Sequence, residues 1–349
     1  MKRVLVHQGP LSDKALFNPN ARDYSNDPYI VLRERLAERG YELTVSEDQP
    51  VRGAEWVLFF DAPSVYRQRL RDYIAGRFAH VDVSLRSRDV YRECLKEGIL
   101  DKCALFLWEA HVFEPRNWQP DLHSRFKTIF TWHDSYVDGK QFHKIVIPQP
   151  SRFGARQSVD FRDKKLLVNI SANKYSSTRG ELYSARRAAI RYFERHYPAE
   201  FDLYGVGWHK PTSPRARLAL LFDAKYPSYR GTIPNKSEVF PRYRFALTYE
   251  NVQGVPGYVT EKIFDCMRSA CVPVYLGAPN IADYVPCEVF VDRRNFTSNA
   301  ELGSYLASMS EEEYSRYRAA AQEYLEGPRF AQFLEQAFAD TVCHVLGLN

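Results

Sequence analysis

Short apolar runs alternate along the chain with segments in which apolar residues recur at helical spacing. KRVLVHQ, YELTVSE, EWVLFFD, CALFLWE, KTIFTWH and KIVIPQP each read as a buried strand. Between them, DPYIVLRERLAERG and VYRQRLRDYIAGRF carry the three-and-four periodicity of amphipathic helices. From QPSRFGARQSVDFRDKK the pattern turns polar, and a second series opens. It runs KLLVNIS, the helix ELYSARRAAIRYFERHY, FDLYGVGW, FALTYEN, the helix EKIFDCMRSAC, VPVYLG and VFVD. The tail from SNAELGSYLASM to FADTVCHVL reads as helix interrupted at Gly327–Pro328. Strands alternating with helices predict parallel α/β sheets. The expected organisation is an N-terminal α/β domain over 1–155, a C-terminal one over 156–330, and a final helix over 331–349 that packs back on the first domain or on a second copy. Two Rossmann-like domains of this kind are expected to face a central cleft.

Composition supports a globular reading: of 349 residues, 45% are hydrophobic and 26% charged, with 23 Tyr and 22 Phe to fill two cores. The formal net charge of +5 suits an anionic ligand but falls short of a nucleic-acid footprint, so no nucleic acid is expected as a partner. The six cysteines show no CxxC or Cys/His metal spacing and read as reduced core residues; no metal site is expected. No stretch approaches the roughly 18 apolar residues of a membrane span, and MKRVLVHQGP enters a strand pattern without a signal-peptide core. The expected compartment is therefore the cytoplasm, with peripheral contact at the inner membrane left open.

One residue carries the chemical question. In GYVTEKIFD, Thr260 has the N-cap position, Glu261 bears the charge that a helix dipole favours, and Lys262 bears the charge that it opposes. A lysine in the first turn is either a solvated side chain or half of an anion site that the exposed helix amides complete. The preceding strand FALTYEN and the glycine-containing loop NVQGVPG favour the second reading, because they deliver Lys262 to the carboxyl end of a sheet. GxGxxG opening a helix and GxxxxGK[ST] are both absent, which disfavours hydride enzymes and P-loop ATPases. So is an acidic pair of the DxD type. A diphosphate bound here would be neutralised by Lys, Arg and helix ends, as departure of a nucleoside diphosphate from a sugar requires.

The block RYRFALTYENVQGVPGYVTEKIFDCMRSACVPVYLGAPNIADYVP resembles the signature of the α-1,3/4-fucosyltransferases, glycosyltransferase family ten. The resemblance extends to NKSEVFPRYRF, to LYSARRAAIRYF and, more thinly, to LFLWEAHVFEPRNW and FKTIFTWHDSYVD, which look like bacterial members. It implies a GT-B-like fold and an inverting, metal-independent enzyme that takes GDP-fucose as donor substrate, without a cofactor, and a glycan as acceptor. An α-1,3 linkage on a lipopolysaccharide or an oligosaccharide is expected. By resemblance, Lys262 and Arg186 contact the donor diphosphate, with Arg187 a one-residue slip away. Glu261 accepts bonds from donor hydroxyls, Tyr258 packs beside the donor, and Asn251 belongs to the donor loop, where Glu250–Asn251 brace the chain. Tyr249 stands where the family usually has Phe. Glu109, at the end of an apolar strand, matches the general base, with desolvation beside Trp108 expected to raise its pKa; Glu114, His111 and His133 are rivals. The alternatives are another GDP-deoxysugar donor or a non-catalytic sugar-nucleotide or glycan-binding protein. Acceptor choice is expected to reside in loops such as NPNARDYSND and RDVYRECLKEG.

Overall fold

The computed structural model describes residues 1–8, 13–63, 88–153, 159–209 and 226–348. The helix expected over VYRQRLRDYIAGRF lies outside the described residues. The chain divides into two compact units, one formed by Met1–Ser151 with Gln332–Asn349, the other by Arg152–Ala331.

In the first unit, β1 (Lys2–His7), β2 (Tyr41–Val45), β3 (Ala54–Phe60), β4 (Cys103–Leu107), β5 (Thr128–Thr131) and β6 (Phe142–Lys144) form a parallel sheet in the order β2-β1-β3-β4-β5-β6. The inner strands β3, β4 and β5 are buried without alternation because both faces are covered, whereas the edge strand β2 alternates. Val4, Val6, Phe60 and Phe106 point to one core with Leu32 and Leu36 of α1 (Asp27–Glu38). Leu5, Phe59 and Leu105 point to another, with Cys94 of α2 (Val90–Lys96) and Leu122 of α3 (Pro120–His123).

KIVIPQP does not form the expected strand. Pairing ends at Lys144, one further bond joins Ile145 N–H to Thr131 O, and Pro148 and Pro150 have no amide to extend the ladder. RDVYRECLKEG, expected as a loop, is largely α2, because Asp89 caps it by accepting from the Arg92 amide at 2.8 Å.

In the second unit, β7 (Lys165–Ile170), β8 (Phe201–Tyr204), β9 (Tyr243–Tyr249), β10 (Val272–Leu276) and β11 (Val291–Asp292) form a parallel sheet ordered β11-β10-β9-β7-β8. Strand order reverses between β7 and β9, so the connections leaving their carboxyl ends run to opposite faces of the sheet. Helices α4 (Tyr183–His196) and α5 (Glu261–Arg268) follow β7 and β9. Ala189, Ile190 and Phe193 of α4 pack on one face with Leu167, Phe245 and Val274, whereas Cys266 of α5 packs on the other with Val168 and Ala246.

After the short α6 (Ile281–Tyr284) the tail is more divided than its pattern suggested. It comprises α7 (Asn299–Ser308), α8 (Glu311–Glu326), α9 (Pro328–Ala331) and α10 (Glu335–Val345). The additional break after α7 arises because the Ser310 hydroxyl accepts from the Glu313 amide and starts a new helix. Helix α10 packs on α1, burying Phe338, Ala339, Val342 and Cys343 in the same core as Leu32 and Leu36. A fully buried Phe or Val contributes about 1.5–3 kcal/mol, which suffices to hold this segment on the first unit.

Candidate active site

At the reversal point of the second sheet, the buried face of α4 carries Tyr183, Arg186, Ile190 and Phe193 at helical spacing. Arg186 is 4% exposed, and its Nη2 donates to the carbonyls of Tyr249, at 2.6 Å, and Glu250, at 2.9 Å, where β9 ends. Arg187, turned one residue around the helix, donates to Lys174 O at 2.6 Å and lies over the Tyr175 ring. Arg186, not Arg187, is therefore the arginine in the small pocket that Ser171, Lys236, Tyr249 and Lys262 also line.

Lys262 is not a solvated helix-end lysine. Its Nζ donates to Glu250 Oε2 at 3.1 Å and to Thr260 Oγ1 at 2.9 Å, and lies 3.7 Å from Glu261. Glu250 is fully buried and accepts from both the amide (2.8 Å) and the hydroxyl (2.7 Å) of Thr260. This corrects the simple capping expectation: the Thr260 side chain makes no bond to the first-turn amides of α5; its hydroxyl donates to Glu250, and its oxygen accepts from Lys262 Nζ instead. An ammonium has three donors, so two committed bonds leave Lys262 one N–H for a ligand.

Burial alone would lower the Lys262 pKa, but Glu250 and Glu261 outweigh it and hold the ammonium above its ordinary value. Burial raises the Glu250 carboxyl, partly opposed by Lys262. Glu261 is 46% exposed; burial would raise its carboxyl, and Lys262 and Lys236 prevail in holding it below the ordinary range. Lys236 is paired with Asp265 at 2.6 Å. Burial lowers the Arg186 pKa, partly opposed by Tyr183 and Glu250.

The loop between β9 and α5 is pinned to the approach of α4. Leu182 N–H donates to Asn251 O, Gln253 N–H donates to Gly180 O, and Asn251 Nδ2 donates to the buried Tyr258 hydroxyl at 3.3 Å. Asn251 thus braces the loop. Gly277 is required for packing: a Cβ there would lie 2.5 Å from Glu250 Cγ and 2.5 Å from the Tyr275 hydroxyl oxygen. Gly277→Ala is expected to displace Glu250, lower stability by about 1–3 kcal/mol and weaken nucleotide binding. Thermal unfolding and calorimetry with GDP check this; unchanged melting and affinity would refute the packing role.

In the first unit, Glu109 follows β4 and is half-buried. Its amide donates to Asp61 Oδ1 at 3.0 Å, and its carbonyl accepts from Trp118 Nε1 at 3.0 Å and Asn117 Nδ2 at 3.2 Å. Trp108 packs with Phe60, Phe106 and Phe338 in the core. Glu114 is committed to Arg116, whose Nε lies 2.8 Å from Glu114 Oε1. His133 sits among Trp118, Trp132 and Tyr136, and burial lowers its pKa.

A family model described as glycosyltransferase family 10 (fucosyltransferase), C-terminal part, matches residues 162–346, more than half of the chain. The chain belongs to glycosyltransferase family 10. Among curated members and relatives, it is 40% identical over 79 residues to an α-(1,4)-fucosyltransferase of Arabidopsis thaliana, covering 22% of this chain and 20% of that protein. It is 39% identical over 74 residues to the α-(1,3)-fucosyltransferase FucT of Helicobacter pylori, covering 21% and 15%. It is 33% identical over 92 residues to GDP-fucose protein O-fucosyltransferase 3 of Bos taurus, covering 26% and 18%. The matched segments therefore span a fifth or less of these relatives' own length.

A solved α1,3-fucosyltransferase superposes with a TM-score of 0.57 at 14% identity, covering 99% of this chain and 90% of the other. The same enzyme type solved with GDP-fucose gives 0.52. Anabaena Alr3699/HepE in complex with UDP and glucose gives 0.55 at 10% identity, with 99% of each chain covered. These likenesses, together with two all-parallel α/β sheets, make the fold of this family 10 chain GT-B.

Two site residues carry little signal in the sequence. Asp61 ends the strand EWVLFFD as an ordinary acidic residue, and nothing in that run marks it as a partner of Glu109. Lys236 opens the first of two short 3-10 helices, Lys236–Glu238 and Phe240–Arg242, that precede β9. Its place in NKSEVFPRYRF, which resembles the family, was the available clue.

Proposed function

We propose that this chain is an inverting fucosyltransferase that moves L-fucose from GDP-fucose to a hydroxyl of a glycan. The observation that carries the reading is the convergence of Arg186 and Lys262 on one pocket, at the reversal point of a parallel sheet and beside the uncapped amides of α5. Diphosphates bind at such points in open α/β sheets. Here the remaining edge of the Arg186 guanidinium and the third Lys262 donor would take phosphate oxygens. Glu261, half exposed at the same helix start, would accept from donor hydroxyls, and the buried Tyr258 would support the loop that packs against the donor.

In the reaction, the acceptor oxygen attacks the anomeric carbon of fucose while its proton passes to the Glu109 carboxylate. The bond from that carbon to the diphosphate oxygen breaks with inversion, and GDP leaves with its new charge met by Lys262 and Arg186. Neutralisation by fixed cations supports a metal-independent step. An α-1,3 linkage to a lipopolysaccharide or other oligosaccharide is the acceptor reading we carry.

The test is a transfer and hydrolysis screen of GDP-fucose against other GDP-sugars, with candidate disaccharides, in EDTA. Turnover of GDP-fucose that survives EDTA is expected. Preference for another GDP-sugar would reassign the donor, strict dependence on added Mn²⁺ would overturn the metal-independent step, and GDP binding without turnover of any donor would leave a binding protein.

A further inference from the structure

Asp61 occupies the carboxyl edge of the first sheet, immediately after β3, where strand order reverses between β1 and β3. Its φ is +64°, in the left-handed region. Glycine would adopt that conformation with less strain. A carboxylate kept there implies a use for the side chain, and strained residues of this kind concentrate at functional sites.

Among the described residues, its side chain bonds to Glu109 and its neighbours. One oxygen, Oδ1, accepts from the Trp108 amide at 2.9 Å, the Glu109 amide at 3.0 Å and Asn117 Nδ2 at 2.5 Å. Asn117, itself fully buried, also accepts from Ala62 N–H at 2.7 Å and donates to Glu109 O at 3.2 Å. The Asp61 amide meanwhile donates to Phe106 O at 2.9 Å. The amide and the carbonyl of Glu109 are thus both clamped, through Asp61 and Asn117, to the end of the neighbouring strand.

From this geometry we infer that Asp61 is a positioning residue for the transfer reaction: it fixes the main chain at Glu109 so that the carboxylate is presented in one orientation. The inference rests on the reading of Glu109 as the proton acceptor. Misplacing a reacting group by about 1 Å can lower a rate about a hundredfold, so a clamp on both peptide groups of Glu109 bears directly on turnover.

Three N–H groups on one oxygen favour the ionised form, yet burial prevails and pushes the Asp61 carboxyl up to about 6, with Glu114 adding to the rise. Among the described residues, the charged and titratable groups around it include Glu109 itself, Glu114 with its partner Arg116, and Tyr29 of α1, whose phenol is raised by burial and by the charges of Asp61 and Glu109. Protonation of Asp61 below about pH 6 weakens its acceptor strength and loosens the clamp.

The experiment compares the full-length wild type with Asp61→Gly, Asp61→Asn and Glu109→Gln. Readouts are kcat, donor KM, GDP affinity by calorimetry, thermal unfolding and the pH profile of kcat. Asp61→Gly tolerates φ +64° but removes the acceptor, and is expected to lower kcat about tenfold or more with donor KM and GDP affinity unchanged. Asp61→Asn retains an oxygen for the same N–H groups and tolerates the left-handed backbone. It is expected to hold, across the pH range, the rate that wild type shows below about pH 6, where Asp61 is itself neutral, and so to lack the fall in activity near pH 6 while exceeding Asp61→Gly.

If Glu109→Gln is inactive while Asp61→Gly equals wild type in kcat and pH profile, this inference alone fails. It also fails if Asp61→Gly loses GDP affinity and folding stability together with rate, since the role is then general. Full turnover in Glu109→Gln removes the base assignment and this inference with it.

Discussion

Glu109→Gln is expected to lower kcat by ~10²–10⁴-fold, the range a positioned general base supplies. Glutamine matches glutamate in size and keeps the hydrogen bonds that the backbone of residue 109 makes to Asp61, Asn117 and Trp118. What it lacks is a carboxylate to receive the acceptor's proton. GDP affinity is expected to stay near wild type, because Arg186 and Lys262 belong to the second unit and residue 109 to the first. Steady-state transfer kinetics with GDP-fucose, paired with calorimetry, separate the two. Undiminished turnover would reassign the base, with the half-buried His111 next to be tested.

Lys262→Ala is expected to act twice, on the ligand and on the fold. It removes a full charge from the proposed diphosphate site, so affinity for GDP and GDP-fucose should fall on the order of a hundredfold, as loss of a charge-assisted contact of about 1.5–3 kcal/mol implies. It also strands the carboxylate of Glu250, which is fully buried and retains its bonds to Thr260. Removing one partner of a buried pair costs ~3–5 kcal/mol; Lys262 is 23% exposed, which places the loss at the lower end.

The pH dependence has a definite sign. Burial already raises the Glu250 carboxyl, opposed by Lys262, so the variant's carboxyl moves further up. A folded pKa above the unfolded one means the native state holds the proton more tightly, so this group's contribution falls as pH rises through that interval. The melting deficit of Lys262→Ala should therefore be largest at neutral and alkaline pH and shrink toward pH ~4–5. Adding Glu250→Gln should recover stability without recovering GDP affinity. Recovery of both would mean that Lys262 serves only the fold.

Much of the second unit was legible in the chain. KLLVNIS, FALTYEN and VPVYLG are apolar runs that end where β7, β9 and β10 end to within two residues, because a sheet covered on both faces imposes no alternation and leaves the turn residues as boundaries. GYVTEKIFD announced a helix start with a misplaced cation, and α5 begins at Glu261. Glu250 was read as a brace for its loop, and its bonds to Thr260 give that brace its form. KIVIPQP misled because its apolar residues look like strand, whereas its prolines cannot donate to a ladder. Spacing gives Thr260 a capping role that it does not play, because its hydroxyl is turned to donate to the distant Glu250 and its oxygen accepts from Lys262 Nζ, and spacing does not register that carboxylate.

The sequence by itself determined the alternation of strands and helices and the membership of Lys262 in a helix start, both properties of residues within a few positions of one another, and its resemblance to the family gave Glu109 its candidate status. Tertiary structure decided between Arg186 and Arg187 as the pocket arginine, because one residue of helix rotation carries the side chain from the sheet's end to the Lys174 carbonyl. It also decided that Asp61, 48 residues from Glu109, holds that residue's amide, and that Gly277 leaves space for Glu250. The physical reason is common to all three: hydrogen bonding and steric exclusion act over a few ångströms, so partners far apart in the chain become determinate only when parallel strands bring their ends into register.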